Sequence, residues 1–271
     1  MELTQIGKIV LGILVTYVAL QIVTYFCKSV EKFSDTQHGI VPKIIYMCCK
    51  DKNGVPEKVT RNWKQLNPDY KIELYDDKEC YDYLVKEYGQ EYGDFYNKIP
   101  FGPIKADLWR LCILYKTGGV YSDIDIKPYR PISEIISEDN VTFCSCLNED
   151  KSHIFQAFIY SAKGNPILKK CIEIMMSKLN LLEEGGTNKR EVDFYWSLSG
   201  TYDMYNVLIN ILNIKQIYPE IYYTDKQKIK ILEEYLPNGY VNLKYCKVKY
   251  NGVDMLKSRY SDYDMNKHTF K

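Results

Sequence analysis

Two aspartates separated by one residue, Asp123 and Asp125, are the side chains of this chain best suited to bind a divalent cation. Apolar and polar residues alternate through residues 120–126, which predicts a strand in which both carboxylates point the same way. Mg²⁺ and Mn²⁺ are commonly held by one or two carboxylates, with water and substrate phosphates in the remaining positions. The pair therefore predicts a phosphorylated ligand.

The spacing of the two aspartates is weak evidence by itself. Asp262 and Asp264 repeat the same spacing in a polar C-terminal segment that has no strand pattern around it. For an isolated Asp-x-Asp, an exposed strand end or turn is the favoured explanation. The neighbouring residues must therefore decide between a site and a turn.

A helix predicted over residues 104–116 carries a second charged pair, Asp107 and Arg110. These residues are three apart and so lie on one helical face. The apolar stripe of the same helix contains Leu108, Leu111, Cys112 and Tyr115. We therefore expect the charged pair to face away from the core. Gly118 and Gly119 supply the backbone freedom that ends the helix before the strand begins.

Several motifs in a fixed order resemble glycosyltransferase family 32, a group with a DXD sugar-nucleotide motif that includes the initiating mannosyltransferases of the fungal Golgi. They cover most of the chain after residue 40. The matching segments are PKIIY at 42–46, NPDY at 67–70, LYDD at 74–77, ADLWR at 106–110, GGVYSDID at 118–125, FIYSAKGNP at 158–166 and SGT at 199–201.

The resemblance implies a metal-dependent transferase that moves a hexose or N-acetylhexosamine from a nucleotide diphosphate sugar to a glycan, glycolipid or glycoprotein, with retention of configuration. It implies that Asp125 binds Mn²⁺ or Mg²⁺ and that Asp123 contacts ribose or sugar hydroxyls. Asp107 and Arg110 would hold the donor sugar, and Arg110 would also brace Asp123. The two aspartates of the DXD motif are the predicted catalytic residues.

The chain departs from the family pattern at several positions. Tyr46 replaces a frequent histidine and Met47 begins the replacement of the usual QIW triplet, yet the position of this opening strand implies nucleotide contacts for both. Thr201 stands where many relatives have proline. Many relatives carry a C-terminal histidine, so His268 is a further candidate metal ligand.

Composition and charge limit the classes of partner. The chain has 271 residues, and its 36 Lys and Arg against 35 Asp and Glu give a net charge of +1. Such a balance gives no general attraction for nucleic acid, so we expect none as a partner. Any anion must be bound by a local site.

Residues 9–27 form an apolar run that predicts a transmembrane signal anchor. At ~1.5 Å per residue these positions nearly cross a hydrocarbon core of ~30 Å. A cleaved signal peptide is the alternative, although no small-residue cleavage pattern follows the run. We therefore predict a tail over 1–8, a stem over 28–39 and a catalytic domain over 40–271. The resemblance implies a type II protein with this domain in the Golgi or ER lumen.

The expected fold class is α/β, with a single GT-A-like nucleotide-sugar-binding domain after the membrane segment. Short strands are predicted at 44–47 and 72–75 with a helix over 59–66 between them, which is a βαβ beginning. Ligands of open α/β sheets lie beyond the carboxyl ends of the strands. The strand that contains Asp123 ends there.

Two other functions fit part of the pattern. An apolar strand followed by Asp-x-Asp also resembles haloacid-dehalogenase-like phosphatases, in which Asp123 would be the nucleophile. That scheme needs its motif near the start of the domain and a later paired acidic motif, whereas Asp76 and Asp77 precede it here. A membrane-anchored sugar-binding protein without turnover is the third possibility.

Overall fold

The computed structural model of the chain describes residues 41–183, 191–237, 245–258, 263–264 and 269–270. The predicted tail, membrane segment and stem lie outside these residues. No helix within the described ranges is both long enough and apolar enough to cross a membrane.

The described part of the chain begins with a strand–helix–strand unit, and three consecutive helices then lead to the third strand. The strands are β1 Ile44–Cys49, β2 Lys71–Asp76, β3 Gly119–Ser122, β4 Lys127–Pro128, β5 Phe143–Leu147, β6 Ile154–Ser161, β7 Ile221–Tyr223, β8 Lys228–Tyr235, β9 Lys247–Tyr250, β10 Val253–Lys257, β11 Tyr263–Asp264 and β12 Thr269–Phe270. The helices are α1 Lys58–Leu66, α2 Asp77–Tyr88, α3 Gln90–Lys98, α4 Gly102–Thr117, α5 Ile132–Ile136, α6 Pro166–Met176, α7 Leu179–Glu183, α8 Glu191–Leu198 and α9 Gly200–Leu212, with a 3₁₀ turn at Lys52–Gly54.

One mixed sheet contains most of the strands, in the order β2-β1-β3-β6-β5-β8-β9-β10-β4, and β7 pairs with β8. Strand β1 is parallel to both β2 and β3, whereas β3 is antiparallel to β6. The carboxyl ends of β1, β2 and β3 therefore meet at one edge of the sheet. The predicted α/β class is confirmed.

Both faces of this sheet are covered. On one face, a large apolar cluster joins helix α4 to helices α6 and α9, while a second cluster on the other face includes Trp63 of α1 and Ile135 of α5. Because α4 lies between the sheet and α6, apolar residues occur almost all the way around it. Trp109 of this helix is fully buried, as a core residue should be.

Gly118 ends helix α4 in a backbone conformation with φ of 71° and ψ of −177°, which side chains other than glycine rarely adopt. A Cβ atom there would lie 2.7 Å from the backbone nitrogen of Lys163. Gly164 has almost the same φ, 72°, but a Cβ atom added there would meet nothing within 4 Å. The two glycines therefore separate the effect of backbone conformation from that of steric contact.

Gly118→Ala is expected to lower the free energy of unfolding by more than about 2 kcal/mol, because conformational strain and a backbone clash add. Gly164→Ala is expected to cost about 1 kcal/mol, since it carries the strain alone. Urea unfolding of the two variants, followed by circular dichroism, measures both values. Equal losses would show that the close packing around Gly118 contributes nothing.

Candidate functional site

The two aspartates follow strand β3 at the edge where the carboxyl ends of β1, β2 and β3 meet. The predicted strand over 120–126 is wrong at its end, because β3 stops at Ser122 and a turn follows. This turn is closed by the N–H of Ile126, which donates to the carbonyl of Asp123 at 3.1 Å. Alternation in burial nevertheless continues, so that Ile124 and Ile126 are buried while Asp123 and Asp125 are half-buried.

Arg110 is the centre of the site. Its guanidinium is buried and lies 3.3 Å from the Asp107 carboxylate and 3.5 Å from that of Asp123. It also donates to the backbone carbonyl of Gln156 at 2.7 Å and stacks over the ring of Tyr121, 4.5 Å from its centroid. The expected contact between Arg110 and Asp123 is present.

The prediction that Asp107 and Arg110 face away from the core is wrong. Their exposed fractions are 5% and 4%. Helices α6 and α9 pack against α4, so the side opposite its apolar stripe is not exposed to solvent. The pair is held inside the protein because its charges are matched there by each other and by hydrogen bonds.

Tyr121 fixes the carboxylate of Asp123 from the strand itself. Its hydroxyl donates to Oδ1 of Asp123 at 2.6 Å and lies 3.4 Å from Sγ of Cys48 at the end of β1. Tyr121 was not among the predicted site residues. The available signal was its spacing, since a residue two positions before Asp123 in a strand points to the same face.

Asp107 connects the site to the start of helix α9. Its Oδ2 accepts a hydrogen bond from the backbone N–H of Gly200 at 3.1 Å, and the side chain of Gln156 donates to the carbonyl of Gly200 at 2.8 Å. Ser199 caps α9 by accepting from the N–H of Thr201 at 3.3 Å. The SGT segment is thus bonded to residues 93 and 44 positions earlier in the chain.

Burial and neighbouring charges shift the pKa values of the ionisable side chains in this cluster. Burial raises the pKa of Asp107, against the opposing effects of Arg110 and the Gly200 N–H. Burial would lower the pKa of Arg110, but Tyr121, Asp123 and Asp107 together raise it above its ordinary value. The arginine therefore stays charged, and its charge holds two carboxylates in fixed positions.

The carboxylates of Asp123 and Asp125 suit a hard divalent cation that retains ligands from outside the protein. No group of three or more His, Cys, Asp or Glu side chains with metal-binding geometry occurs among the residues that the structure describes. Mg²⁺ and Mn²⁺ sites in phosphate-binding proteins commonly have only one or two carboxylates, with water and phosphate oxygens as the other ligands. The half-buried pair at an open sheet edge fits that pattern.

The other predicted site residues lie elsewhere. Tyr46 and Met47 have exposed fractions of 3% and 0%, because β1 is an inner strand whose side chains enter the clusters on either face of the sheet. Both side chains are therefore buried, and the nucleotide contacts of this strand stay a prediction. Cys48 and Cys49, at the end of the strand, are the half-buried residues of β1 at the site edge. His268 lies outside the described residues.

Comparison with known proteins places the site in a recognised region. Residues 56–142 match the family model described as a glycosyltransferase sugar-binding region containing a DXD motif. That range contains Asp107, Arg110, Asp123 and Asp125, and it ends before Gln156 and Gly200.

Two curated relatives carry the same name, initiation-specific alpha-1,6-mannosyltransferase. The protein from Candida albicans is 35% identical over 109 residues, covering 37% of this chain and 28% of its own, and the protein from Schizosaccharomyces pombe is 29% identical over 117 residues, covering 41% and 30%. The resemblance to glycosyltransferase family 32 is confirmed. These matches span less than a third of the length of either relative.

A third curated relative, inositol phosphoceramide mannosyltransferase 3 of Schizosaccharomyces pombe, is 31% identical over 103 residues, covering 37% of this chain and 28% of its own. Among solved structures, one titled PaToxG Glycosyltransferase covers 72% of this chain and 78% of its own with 17% identity and a TM-score of 0.48.

Proposed function

We propose that this protein is a metal-dependent glycosyltransferase with a GT-A-like domain. It would move a hexose or N-acetylhexosamine from a nucleotide diphosphate sugar to a glycan, glycolipid or glycoprotein acceptor, with retention of configuration. The observation that carries the proposal is the position of Asp123, held by Arg110 and Tyr121 at the edge where three parallel strands end, inside a DXD sugar-binding region.

In the proposed mechanism, Asp125 would hold the divalent cation, and Asp123 would contact the donor beside it. When bound, Mn²⁺ or Mg²⁺ neutralises the charge that develops on the departing nucleotide diphosphate. Asp123 accepts hydrogen bonds from ribose or sugar hydroxyls, because Tyr121 and Arg110 keep its carboxylate fixed and 32% of its side chain is exposed. Because this carboxylate is already oriented, it loses little entropy when the donor sugar binds.

Asp107 and Arg110 act as positioning residues in this scheme. The family resemblance implies a direct contact of both with donor sugar hydroxyls, but their side chains are only 7% and 5% exposed and already bonded within the protein. Arg110 orients Asp123, and Asp107 orients the Gly200 turn. Their effect on the donor is therefore transmitted through those two neighbours.

Nucleotide release tests the proposal. The full chain is incubated with a panel of UDP- and GDP-linked sugars, with Mn²⁺ or with a chelator, and the names of the relatives make a mannose donor the first to examine. Metal-dependent release from one donor is the expected result. Release of phosphate from simple phosphomonoesters instead would support the phosphatase, and glycan binding without any release would support the sugar-binding protein.

At acidic pH, the rate of nucleotide release is expected to depend on the protonation of the Asp107 carboxylate. Its pKa is raised above the ordinary 3.8, so protonation begins at a higher pH than for an exposed aspartate. Protonation removes the charge that faces Arg110, and release should therefore fall as the pH decreases through the raised pKa. The side chain in Asp107→Asn is uncharged at every pH, so this variant should lower release at neutral pH and abolish the acid limb in a pH–rate profile.

Asp82→Asn is the control for that profile, since Asp82 is exposed and pairs with Lys78 on the surface of α2. It should leave the acid limb unchanged. An acid limb that is the same for Asp107→Asn and for the unmodified chain would assign it to another group.

We also propose that residues 9–27 anchor the protein in a membrane as a type II protein with its catalytic domain in the Golgi or ER lumen. The support is the apolar run itself and the family resemblance. Alkaline carbonate extraction of membranes measures attachment, and protease protection of separate, untreated sealed vesicles measures orientation. A protein that carbonate releases, or that external protease digests in sealed vesicles, would contradict this assignment.

A further inference from the structure

Three aromatic side chains form a half-exposed surface, here called the aromatic platform, which consists of His153, Trp196 and Tyr202. Trp196 and Tyr202 are 44% and 40% exposed although both are large and apolar. Their ring centroids lie 5.9 Å apart, and the ring of His153 lies 6.2 Å from Trp196 and 5.0 Å from Tyr202. An exposed aromatic group of this kind indicates a contact surface for another molecule.

The aromatic platform adjoins the charged site through the Gly200 turn. Trp196 and Tyr202 lie four residues before and two residues after Gly200, whose N–H is bonded to Asp107. The ring of Tyr195 contacts the platform, with its centroid 5.2 Å from that of Trp196. Burial raises the pKa of Tyr195 to about 12, and the charges of Asp107, Arg110 and Asp123 also act on it.

Strand register places the third member of the platform beyond the site edge. Ser122, the last residue of β3, pairs with Phe158 of β6. Because β6 begins at Ile154, its first four residues extend past the end of β3, and His153 immediately precedes them. The platform therefore flanks the edge at which Asp123 and Asp125 are presented.

Polar groups border the aromatic platform. The Nδ1 of His153 lies 2.9 Å from the hydroxyl of Ser152, whose backbone N–H donates to Asp150 at 2.9 Å. Burial lowers the pKa of His153, although the Asp150 carboxylate opposes this, so the imidazole is uncharged at neutral pH. Flat apolar faces with polar groups at the border match a pyranose ring, which has an apolar C–H face and a rim of hydroxyls.

We propose that the aromatic platform binds a pyranose ring of the acceptor, which stacks on Trp196. This inference rests on the proposed transfer function, because it names the acceptor side of the same site. The divalent cation and the donor diphosphate are assigned to the aspartates Asp123 and Asp125, and the platform adjoins the charged site through the Gly200 turn. The substrate class is accordingly a glycan or glycolipid whose exposed sugar is a pyranose.

Fluorescence quenching tests this binding without donor or metal. Of the three tryptophans, Trp63 and Trp109 are fully buried, so acrylamide reports mainly on Trp196. The full chain, in mild detergent because of its apolar segment, is titrated with the methyl glycosides of mannose, galactose and N-acetylglucosamine. One of them should lower the Stern–Volmer constant about twofold, because a stacked ring covers one of the two indole faces.

Variants distinguish stacking from a solvent effect. Tyr202→Ala should weaken the glycoside affinity at least threefold, whereas Tyr223→Ala should not, since Tyr223 is an exposed tyrosine on β7 outside the platform. Glycerol at the same molarity should leave quenching unchanged. An equal effect of glycerol, no protection by any glycoside, or protection only by anionic lipid vesicles would overturn the proposal.

A kinetic measurement connects the platform to transfer. Trp196→Ala should raise KM for the accepted glycoside about tenfold, which corresponds to the loss of one aromatic contact. Protection of Trp196 without nucleotide release from any donor would leave the sugar site in place and overturn the transferase. Metal-dependent nucleotide release without protection of Trp196 from quenching would support the transferase and overturn the sugar-binding platform. The failure of one proposal can therefore be distinguished from the failure of the other.

Discussion

Arg110→Ala is expected to destabilise the fold by about 3–5 kcal/mol, the cost of removing one member of a buried charge network. The alanine would leave the carboxylate of Asp107 without its ion-pair partner and the carbonyl of Gln156 without the donor now 2.7 Å away. It would also remove the cation that stacks on Tyr121. Urea unfolding followed by circular dichroism measures the loss.

Arg130→Ala is the matched control. Arg130 forms an ion pair with Glu134 one helical turn away, at 3.4 Å, and both side chains are about half exposed. An exposed pair of this kind contributes at most about 1 kcal/mol. A loss below 1 kcal/mol for Arg110→Ala, equal to that of the control, would show that the charges in the site are solvated and not interdependent.

Asp125→Ala is expected to reduce nucleotide release by about 100-fold or more, the effect of removing one group that stabilises developing charge. Its carboxylate lies in the turn after β3, one residue beyond Ile124, and is the proposed ligand of the divalent cation. The measurement is the initial rate of nucleotide release over a range of Mn²⁺ concentrations. The variant should fail to recover the rate at any of them.

Asp264→Ala provides the control with the same sequence spacing. Asp264 is the second aspartate of the other Asp-x-Asp in the chain and belongs to strand β11. It should retain the rate and metal dependence of the unmodified chain. If both substitutions reduce release equally, or if neither does, the assignment of the metal to Asp125 is wrong. Circular dichroism of each variant shows whether the fold is intact.

The two large effects differ in kind. Arg110 lies in the interior, so its replacement should lower stability and activity together. Asp125 lies half-buried in a turn, and its replacement should lower activity with little change in stability. A stable Asp125→Ala variant without activity, beside a destabilised Arg110→Ala variant, is the pattern that the structure predicts.

Local sequence was sufficient for several features. The helix predicted at residues 104–116 is present as Gly102–Thr117, since hydrophobic periodicity and the two glycines are local signals. The half-buried Asp123 and Asp125 alternate with buried Ile124 and Ile126, as the pattern predicted. The contact of Arg110 with Asp123 was expected from the family resemblance and is present.

Other features depended on contacts between distant segments. The end of β3 was predicted four residues too late, because alternation of residue types continues through the turn that the Asp123 carbonyl and the Ile126 N–H close. Tyr46 and Met47 were assigned to a nucleotide from their motif alone. Pairing of β1 with a strand on each side places both in the core.

The sequence by itself determined the α/β class, the helix that carries Asp107 and Arg110, and the DXD segment with its chemistry, because these follow from the spacing of neighbouring residues. Only the tertiary structure decided that Asp107 and Arg110 are buried and that Gly200 and Gln156 complete their hydrogen bonds. The physical reason is that burial depends on what covers a surface. Helices α6 and α9, which cover α4, begin 49 and 83 residues after it ends.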